Sequence, residues 1–558
     1  MSGTAGARAA EAVEGHGGTL AVAVARRHGI DTMFTLSGAH VFPLYDGAVK
    51  ADPPMRLVDV RHEQTAVFAA EATAKLTRVP GLAVLTAGPG VTNGVSAVTT
   101  AHFNGSPLLV LGGRAPAGRW GAGSLQELDH PPLLAPVTKH AATVGEVSGL
   151  PAAVDRALAL AAAPHRGPVF LDVPMDQLFS FATVPIPVPA GPQPLVPDPD
   201  ALAGVAALLA ESERPVLVLG SDVWADRAEG AARRAAETLR LPVVANGMGR
   251  GIVPPGAGLA VTRARSLAFR AADLVLVAGA PLDFRLGFGS FGGEGGVPAR
   301  VVHLADAPSQ VARHVDLAGT VAGDLSLVLD GLVAAAERLG RRTRREEWLD
   351  RLRGTARKAA EDDRELLESG ADPIHPARVY GELRRVLADD AVVAGDGGDF
   401  VSFAGRYLEP ARPGGWLDPG PYGCLGTGLG YAVAARLARP AAQVVLMLGD
   451  GAAGFSLMDA DTLVRHGLPV VMVCGNNGIW GLEKHPMQAL YGYDVAADLQ
   501  PGCRYDQVVA ALGGGGELVA SPDGIGPALH RAFDAGVPYL VNVVTDPRAA
   551  YPRATSGI

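Results

Sequence analysis

The chain has 558 residues, 48% of them hydrophobic and 19% charged, with a formal net charge of −9. This composition provides for large buried cores and excludes an intrinsically disordered chain. Because no basic block interrupts the acidic balance, we do not expect nucleic acid as a partner. The three cysteines, Cys424, Cys474 and Cys503, are far apart and form no CxxC spacing. Neither a disulfide framework nor a zinc site is therefore expected.

The N-terminal residues, MSGTAGARAAEAVEGHGG, contain no apolar core region, so they predict a mobile leader over residues 1–16 and no signal peptide. No apolar run in the chain approaches the ~20 residues needed to span a bilayer. We therefore expect a reduced, cytoplasmic protein without a membrane partner.

From residue 17 onwards the sequence repeats one pattern: an apolar run, a glycine-rich turn, a helical stretch and another apolar run. The first segment contains LAVLTAGPGVTN and SPLLVLGGRA, the second RPVLVLGSD and ADLVLVAGA, and the third QVVLMLGDGAAG and LPVVMVCGNN. Short Val/Leu-rich runs without alternation suit strands buried on both faces, and the intervening helices indicate right-handed βαβ crossovers. The sequence predicts an α/β protein with three parallel-sheet domains.

Two stretches separate these segments. The first contains seven prolines between Pro185 and Pro199, which favours an extended connector. The second, around RRTRREEWLDRLRGTARKAAEDD, is charged and helix-prone, and indicates a solvated connecting helix. The predicted divisions are a leader at 1–16, a first domain at 17–184, a Pro-rich linker at 185–200, a central Rossmann-like domain at 201–340, a connecting helix at 341–372 and a third domain at 373–558.

The strongest chemical signal is GDG followed by 24 residues and then NNGI in the third segment. Asp450 follows the apolar run QVVLML, and Asn477 follows the next apolar run, VVMVCG. Ligands of open α/β sheets bind at the carboxyl ends of strands, where these side chains can converge. A carboxylate, an amide oxygen and a backbone carbonyl, with two phosphate oxygens and a water, satisfy octahedral Mg²⁺. Either half alone is typical of a helix cap or a turn, whereas both together favour a metal site beside a phosphate.

The GDG…NN arrangement resembles the diphosphate–magnesium motif of thiamine-diphosphate-dependent enzymes. The three segments are similar to the pyrimidine-binding, central and diphosphate-binding domains of that family, from about Gly17 to Pro552. The resemblance implies thiamine diphosphate and Mg²⁺ as cofactors, with Asp450, Asn477 and Ile479 as metal ligands. It also implies an active site between the first domain of one subunit and the third domain of another. A homodimer at minimum, and commonly a homotetramer, is therefore expected.

The family's second hallmark is a glutamate near the start of the first domain, and here Glu63 follows the strand-like run VDVRH. The resemblance implies that Glu63 hydrogen-bonds the cofactor's pyrimidine nitrogen and favours the imino tautomer that removes the thiazolium C2 proton. A glutamate in the first turn of a helix is otherwise typical of a solvated capping partner. The downstream stretches TAGPGVTN and GSPLLVLGGRAP, both similar to the family, favour the catalytic role.

The stretch PYGCLGTGLGYAVAA resembles the loop below the thiazolium ring, in which Leu425 would be the bulky residue that bends the cofactor. The alternative is an ordinary core leucine among glycines. The DGG at the end of DDAVVAGDGGDF is a second candidate diphosphate contact. The cofactor-binding residues that the resemblance implies are Gly397, Gly398, Gly423, Leu425, Asp450, Gly451, Ala452, Asn477 and Ile479.

Three subfamilies fit this layout: acetolactate synthase, oxalyl-CoA decarboxylase and 2-hydroxyacyl-CoA lyase. GYAVAAR and GSLQELD are closer to the CoA enzymes, and the tryptophan-containing pattern of acetolactate synthases is not found after Asn477. Glu483 falls six residues past Asn477, where short-chain 2-hydroxyacyl-CoA lyases have a glutamate as acid/base. The alternative for Glu483 is a surface partner of Lys484.

The sequence thus favours a carbon–carbon lyase that cleaves a short 2-hydroxyacyl-CoA to formyl-CoA and an aldehyde or ketone, reversible as an acyloin condensation. Glu483 would accept the 2-hydroxyl proton. The alternatives are acetolactate synthase, which converts two pyruvates to 2-acetolactate and CO₂, and oxalyl-CoA decarboxylase. A regulatory homologue that has lost the cofactor is disfavoured because Glu63, Asp450 and Asn477 are intact. The implied substrate contacts are Gly38, Ala39, Leu125, Gln126 and Leu482, with Leu125 and Leu482 as walls that limit acyl size.

The central domain is where acetolactate synthases bind FAD and oxalyl-CoA decarboxylase binds ADP. Pro281 stands where those enzymes often have an arginine, which weakens both expectations, and ADP is favoured over FAD. His303 to Asp306, after a predicted strand, could meet a ribose, although such an acidic residue more often caps a helix.

Overall fold

The structure is a computed structural model that describes residues 12–191, 193–340 and 345–552. The chain divides into two compact units. One runs to Gln193 and includes Tyr422–Ala438 and Met458–His466, and the other comprises Pro194–Pro421, Arg439–Leu457 and the chain from Gly467. Within the described ranges, no helix combines the length and apolar character needed to cross a membrane.

The first segment contains a six-stranded parallel sheet in the order β3-β2-β4-β5-β7-β6, and a two-stranded antiparallel ribbon of β1 and β8. Its strands are β1 (Ala12–His16), β2 (Thr32–Thr35), β3 (Arg56–Asp59), β4 (Gly81–Leu85), β5 (Leu108–Arg114), β6 (His140–Thr143), β7 (Pro168–Pro174) and β8 (Phe181–Pro185). Its helices are α1 (Gly17–Arg27), α2 (Phe42–Lys50), α3 (Glu63–Thr77), α4 (Pro89–Asn93), α5 (Val95–Phe103), α6 (Pro131–Leu134), α7 (Leu150–Ala162) and α8 (Met175–Phe179).

Strand β1 differs from the prediction, which assigned residues 12–16 to a mobile leader. These residues pair antiparallel with β8, and Val13 packs against the core of the first sheet. The ring of His16 accepts a hydrogen bond from the backbone N–H of Thr19 at 3.1 Å and caps α1. The strand thus forms through a partner distant in sequence. Residues 1–11 of the predicted leader lie outside the described residues.

The central segment contains a five-stranded parallel sheet in the order β10-β9-β11-β12-β13. Along the middle strand, Leu274 and Leu276 enter one apolar core while Val275 and Val277 enter the other. Because both faces of β11 are buried, its sequence is a continuous run of apolar residues. The strands are β9 (Pro215–Leu219), β10 (Val243–Ala245), β11 (Leu274–Ala278), β12 (Arg300–Ala305) and β13 (Gly319–Ala322), and the helices are α9 (Pro199–Glu211), α10 (Ser221–Ala225), α11 (Glu229–Thr238), α12 (Arg265–Ala271) and α13 (Leu325–Leu339).

The stretch after the central sheet, predicted to be a solvated connecting helix over 341–372, forms two helices, α14 (Glu346–Asp362) and α15 (Arg364–Leu367). Residues 341–344 lie outside the described residues. The first helix is not solvated on all sides, because Trp348 and Leu352 are buried in one core of the central sheet. The indole of Trp348 donates a hydrogen bond to the carbonyl of Pro215 at 3.0 Å. Its apolar stripe therefore makes the helix part of the central layer.

The third segment contains a six-stranded parallel sheet in the order β15-β14-β16-β17-β19-β18. Its strands are β14 (Val392–Asp396), β15 (Trp416–Leu417), β16 (Val444–Gly449), β17 (Val471–Asn476), β18 (Gly515–Val519) and β19 (Tyr539–Val544). Its helices are α16 (Pro376–Val386), α17 (Asp399–Tyr407), α18 (Gly428–Ala438), α19 (Asp450–Ser456), α20 (Ala460–Arg465), α21 (Gly481–Tyr491), α22 (Tyr505–Ala511) and α23 (Pro522–Asp534). The three parallel sheets confirm the predicted fold class.

Helix α18 belongs to the first unit and packs closely against α3. A Cβ atom at Gly430 would lie 2.8 Å from Cβ of Phe68, so the glycine permits the close approach of the two helices. The hydroxyl of Tyr431 donates a hydrogen bond to Oε2 of the fully buried Glu71 at 2.8 Å. This hydrogen bond lies within the contact between the two helices.

Candidate active site

The GDG and NNGI segments follow two neighbouring parallel strands, β16 and β17, and meet at the same edge of the third sheet. The backbone N–H of Gly478 donates to Oδ2 of Asp450 at 2.6 Å, and that of Gly451 donates to Oδ1 at 3.0 Å. The carboxylate of Asp450 therefore joins the loop that carries Asn477 to the start of its own helix. The convergence of the two halves, expected from strand order alone, is present in the structure.

The carboxylate of Asp450 is only 3% exposed. Burial raises its pKa to about 6, against the opposing effect of the amide hydrogen bonds that it accepts. In the neighbouring loop, Oδ1 of Asn477 accepts a hydrogen bond from the N–H of Ile479 at 3.1 Å. A buried carboxylate and an amide oxygen on the adjoining loop are hard donors of the kind that fits Mg²⁺, whose charge would stabilise the ionised form. Asp450 and Asn477 are two of the three predicted metal ligands, and the carbonyl of Ile479 as the third stays a prediction.

Two glycines at the end of β14 bring this strand close to the GDG loop. A Cβ atom at Gly397 would lie 3.3 Å both from Cβ of Ala452 and from the backbone nitrogen of Gly449, and one at Gly398 would overlap the side chain of Leu482. A Cβ at Gly449 would meet no atom within 4 Å, so open space adjoins this edge. Gly397 and Gly398 therefore lie close to the GDG loop and to α21 respectively, and their contact with a diphosphate stays a prediction.

Trp480 is a residue of this site that the sequence did not single out. Its ring lies where a Cβ atom of Gly451 would be, and it makes an edge contact with Phe455 at a centroid distance of 6.4 Å. Its backbone N–H donates to the carbonyl of Ala497 at 2.8 Å, which fixes the loop after Asn477. The signal available in the sequence was a large aromatic residue directly after NNGI. The structure shows that its ring packs against Gly451, where any side chain would overlap it.

Replacing Gly451 with Ala is expected to destabilise the protein by about 1–3 kcal/mol, because the new methyl group displaces Trp480 from a packed position. Mg²⁺-dependent cofactor binding should weaken with it, since the same loop holds Asp450. Thermal unfolding and cofactor titration measure the two effects. The matched control is Gly454→Ala in the same helix, where a Cβ meets nothing within 4 Å and a gain of ~0.5–1 kcal/mol is expected. Equal behaviour of the two variants would contradict this packing argument.

In the first unit, Glu63 begins α3 and is only 7% exposed. The helix is capped instead by His62, whose ring accepts the backbone N–H of Gln64 at 3.2 Å. Asn93, at the end of α4, donates its side-chain N–H to Oε2 of Glu63 at 3.0 Å. A Cβ atom at Gly90 would lie 3.7 Å from Oε1. The carboxylate of Glu63 is therefore buried and accepts a hydrogen bond at one of its two oxygens. The alternative, that Glu63 is a solvated capping residue, is not observed.

Four of the five predicted substrate residues lie around the turn after β4. A Cβ at Gly38 would overlap the side chain of Thr86, so the chain before Ala39 packs directly on this turn. His40, which is buried, lies with Nδ1 3.2 Å from the hydroxyl of Thr86. Burial lowers the pKa of His40, while a hydrogen bond to the backbone of Leu125 opposes the shift. Sequence reasoning missed His40, although it directly follows Gly38 and Ala39.

The opposite side of the turn contacts the loop after β5. A Cβ at Gly88 would lie 2.9 Å from Cβ of Gln126, which itself has a positive φ of 61°. Leu125 is 79% exposed, so it does not line an enclosed wall within the first unit. The fifth predicted contact, Leu482, lies in the second unit against Gly398.

Gly423 and Leu425 lie in the segment before α18, which belongs to the first unit. Gly423 is exposed with a φ of 70°, and Leu425 is half-buried. Leu425 is therefore not an ordinary core leucine, and its predicted contact with the cofactor stays a prediction.

Glu483 lies in the first turn of α21 and is exposed. Its neighbour Lys484 is paired elsewhere, with Asp494 at 2.9 Å and Asp498 at 2.6 Å. The alternative that Glu483 is a surface partner of Lys484 is therefore not observed. No hydrogen-bond partner of the Glu483 carboxylate is found in the part of the chain that the structure describes.

His303 of the central sheet uses both ring nitrogens within its own domain. Nε2 lies 3.0 Å from the carbonyl oxygen of Ala280, and Nδ1 accepts the N–H of Ala312 at 3.1 Å. Burial lowers the pKa of this imidazole. His303 thus has no nitrogen left to offer a ribose, and the nucleotide of the central domain stays a prediction.

Three models of thiamine pyrophosphate (thiamine diphosphate) enzyme domains match this chain. The N-terminal TPP binding domain matches residues 15–133, the central domain 202–332 and the C-terminal TPP binding domain 396–543. The chain belongs to the thiamine pyrophosphate enzymes, as the GDG…NN motif indicated. The matched domains support thiamine diphosphate as the cofactor.

Among curated relatives, the "Probable acetolactate synthase" of Mycobacterium bovis is 50% identical over 548 residues, covering 97% of this chain and 98% of the relative. The "Acetolactate synthase large subunit IlvG" of Mycobacterium tuberculosis matches equally well. The human "2-hydroxyacyl-CoA lyase 2" is 33% identical, covering 95% of this chain and 90% of the relative. Both reactions considered from the sequence are thus represented among the relatives, and acetolactate synthase stands nearer to this chain.

Proposed function

We propose that this enzyme is an acetolactate synthase, which joins two pyruvates to give 2-acetolactate and CO₂. The observation that carries this proposal is the 50% identity to relatives named for that reaction, over 97% of the chain. This order of candidates differs from the one that the sequence favoured, in which the lyase stood first. That preference rested on a few short stretches, whereas the identity extends over all three domains.

The residues of the chain have separate roles in this proposal. Thiamine diphosphate supplies a carbon nucleophile and an electron sink for the decarboxylation of a 2-oxo acid. Asp450, Asn477 and Ile479 would hold Mg²⁺ beside its diphosphate. Oε2 of Glu63 accepts a hydrogen bond from Asn93, so Oε1 would be the oxygen that shares a proton with the cofactor's pyrimidine nitrogen.

We further propose that the active site is completed by a second copy of the chain, with Glu63 from one subunit and Asp450 from another. Apolar side chains exposed beside the substrate residues support this, notably Phe42 at 48% and Leu125 at 79% exposure. Exposed apolar groups around a predicted pocket are typical of a surface that a partner covers. A homodimer is the smallest active form in this proposal, and the resemblance to the family also implies a homotetramer.

A 2-hydroxyacyl-CoA lyase is the second candidate, and Glu483 is the observation that favours it. Its carboxylate is exposed on the helix that packs on Gly398, and Lys484 does not neutralise it. Such a group could take the 2-hydroxyl proton as the C1–C2 bond breaks, and return a proton to the carbanion that becomes formyl-CoA.

The deciding experiment presents the Mg²⁺-loaded holoenzyme with pyruvate and, in parallel, with a short 2-hydroxyacyl-CoA. We expect 2-acetolactate and CO₂ from pyruvate. Cleavage of the CoA ester to formyl-CoA and a carbonyl compound, without acetolactate formation, would overturn the proposal in favour of the lyase.

Glu483→Gln separates the two reactions further. If the enzyme is a lyase, turnover of the CoA ester should fall by about one to two orders of magnitude, the effect of one general acid–base group with water as partial substitute. For acetolactate synthesis we expect less than a threefold change in kcat, because no role there requires this carboxylate. Glu361→Gln, an exposed glutamate on α14, is the matched control. A large loss of acetolactate synthesis in Glu483→Gln would assign the residue to that reaction instead.

A further inference from the structure

A fully buried histidine lies beside the turn that supports Glu63. His130, directly before α6, is 0% exposed. Its Nε2 accepts the backbone N–H of Gly88 at 3.0 Å, and its Nδ1 lies 2.9 Å from Oδ2 of Asp172. Because an amide N–H donates to Nε2, this nitrogen carries no hydrogen, and Nδ1 carries the hydrogen that is donated to Asp172. The imidazole is therefore neutral, with its tautomer fixed by both neighbours.

The carboxylate on the far side of the imidazole is itself held in place. Asp172 is 0% exposed on β7, and Nη1 of Arg114 on β5 donates to its Oδ2 at 2.9 Å. The guanidinium of Arg114 lies 3.8 Å from the ring centroid of Trp120 and also bonds Asp129 at 2.9 Å. His130 thus connects Gly88 to an ionic network anchored on two adjacent strands of the first sheet.

Gly88 is the point at which this network meets the turn. Its φ of 57° and ψ of −115° suit only glycine, and its carbonyl accepts the N–H of Thr92 at 3.0 Å. One face of Gly88 packs on Gln126, and five residues later Asn93 bonds the Glu63 carboxylate. The turn over residues 86–93 therefore supports the catalytic carboxylate at one end and a predicted substrate contact at the other.

We propose that His130 is a positioning residue for the reaction. By accepting the N–H of Gly88 it fixes the turn, and through the turn it sets the positions of Glu63 and Gln126. The inference rests on the proposed function only in that Glu63 acts on bound thiamine diphosphate, and it holds for either substrate class. A misplacement of a catalytic group by about 1 Å is enough to reduce turnover on the order of 100-fold.

Two variants separate the hydrogen bonds of the imidazole. His130→Gln retains an acceptor at the end of the side chain that reaches Gly88, whereas His130→Asn is shorter and retains only a donor near Asp172. We expect His130→Asn to slow C2-proton exchange of bound thiamine diphosphate, and kcat with it, by about 10- to 100-fold, at little change in KM. His130→Gln should restore most of both rates. His140→Asn, at an exposed histidine on β6, is the matched control.

A second readout needs neither cofactor nor substrate. In the cofactor-free protein, amide hydrogen exchange of the peptide spanning residues 81–94 should accelerate in His130→Asn and stay near wild type in His130→Gln. Because C2 exchange and amide exchange require no substrate, an enzyme that makes no acetolactate still tests His130. Wild-type rates in His130→Asn would overturn the proposal. The proposal would also be overturned if both variants lost C2-exchange rate equally and in proportion to an equal fall in Tm. If His130→Asn does not fold, slow C2 exchange in a folded His130→Gln overturns it too.

Discussion

Glu63→Gln is expected to slow C2-proton exchange of bound thiamine diphosphate by about 10²- to 10⁴-fold, the weight of a general acid–base group. The amide of Gln has nearly the same shape, and its oxygen can still accept the hydrogen bond from Asn93. Folding and cofactor affinity should therefore change little, while the side-chain amide can donate a hydrogen bond to the pyrimidine nitrogen but cannot transfer a proton to it. Deuterium exchange at C2, followed by NMR after acid quench, measures the effect directly.

A matched control is available in the same helix. Glu71 is fully buried and accepts hydrogen bonds from Asn104, Ser106 and Tyr431 at 2.7–3.1 Å. Glu71→Gln should lower the free energy of unfolding by about 1–3 kcal/mol, because an NH₂ donor replaces one of the two acceptor oxygens and leaves a buried donor without its partner. C2 exchange in the folded fraction should stay at the wild-type rate. If Glu63→Gln exchanges as fast as the wild type, Glu63 has no part in the proton transfer.

Asp450→Ala is expected to weaken Mg²⁺ and thiamine diphosphate binding together, because the carboxylate would hold the metal whose charge offsets that of the diphosphate. The loss should be at least the roughly 10- to 100-fold that a missing supporting group costs at a metal site. The variant also leaves the N–H groups of Gly451 and Gly478 without their acceptor. Calorimetric titration of each component at saturating and zero concentration of the other measures the coupling.

Asp450→Asn distinguishes a metal ligand from a structural turn. The amide oxygen can accept one of the two backbone N–H groups, so this variant should be less destabilised than Asp450→Ala, which leaves both without an acceptor. Its neutral side chain should still bind Mg²⁺ poorly, because the hard cation requires the carboxylate charge. Wild-type coupled affinity in Asp450→Asn would mean that the GDG segment only forms a turn.

The sheets could be predicted from the sequence because runs such as QVVLML are buried on both faces and follow helices of regular length. Strand β1 could not be, since AVEGH has little apolar character and forms through pairing with Phe181–Pro185, far along the chain. Asp450 and Asn477 could be placed together because neighbouring parallel strands end at one edge. The contact of His130 with Gly88 could not be predicted, because the two residues are 42 positions apart and the sequence around His130 does not indicate its partner.

The reaction was harder to predict from short sequence motifs than the fold was. Glu483 and the surrounding short stretches favoured a lyase, but they sample few of the positions that shape a substrate pocket. The structure places Leu125, a predicted wall of that pocket, at 79% exposure in the single chain. Leu125 is thus not enclosed by its neighbours within the chain, and the short motifs around it could not define a substrate pocket.

The bond between Tyr431 and Glu71 has a consequence for how the protein is made. Helix α3 is synthesised 360 residues before its partner α18, so the face that buries Phe68 and Glu71 stays unmatched until most of the chain has left the ribosome. Contacts so distant in sequence slow folding and leave apolar surface exposed to misassembly. A fragment ending at Gln193 would lack Tyr422–Ala438, which belongs to the same compact unit. The N-terminal domain, as sequence boundaries define it, should therefore depend on the rest of the nascent chain for a finished core.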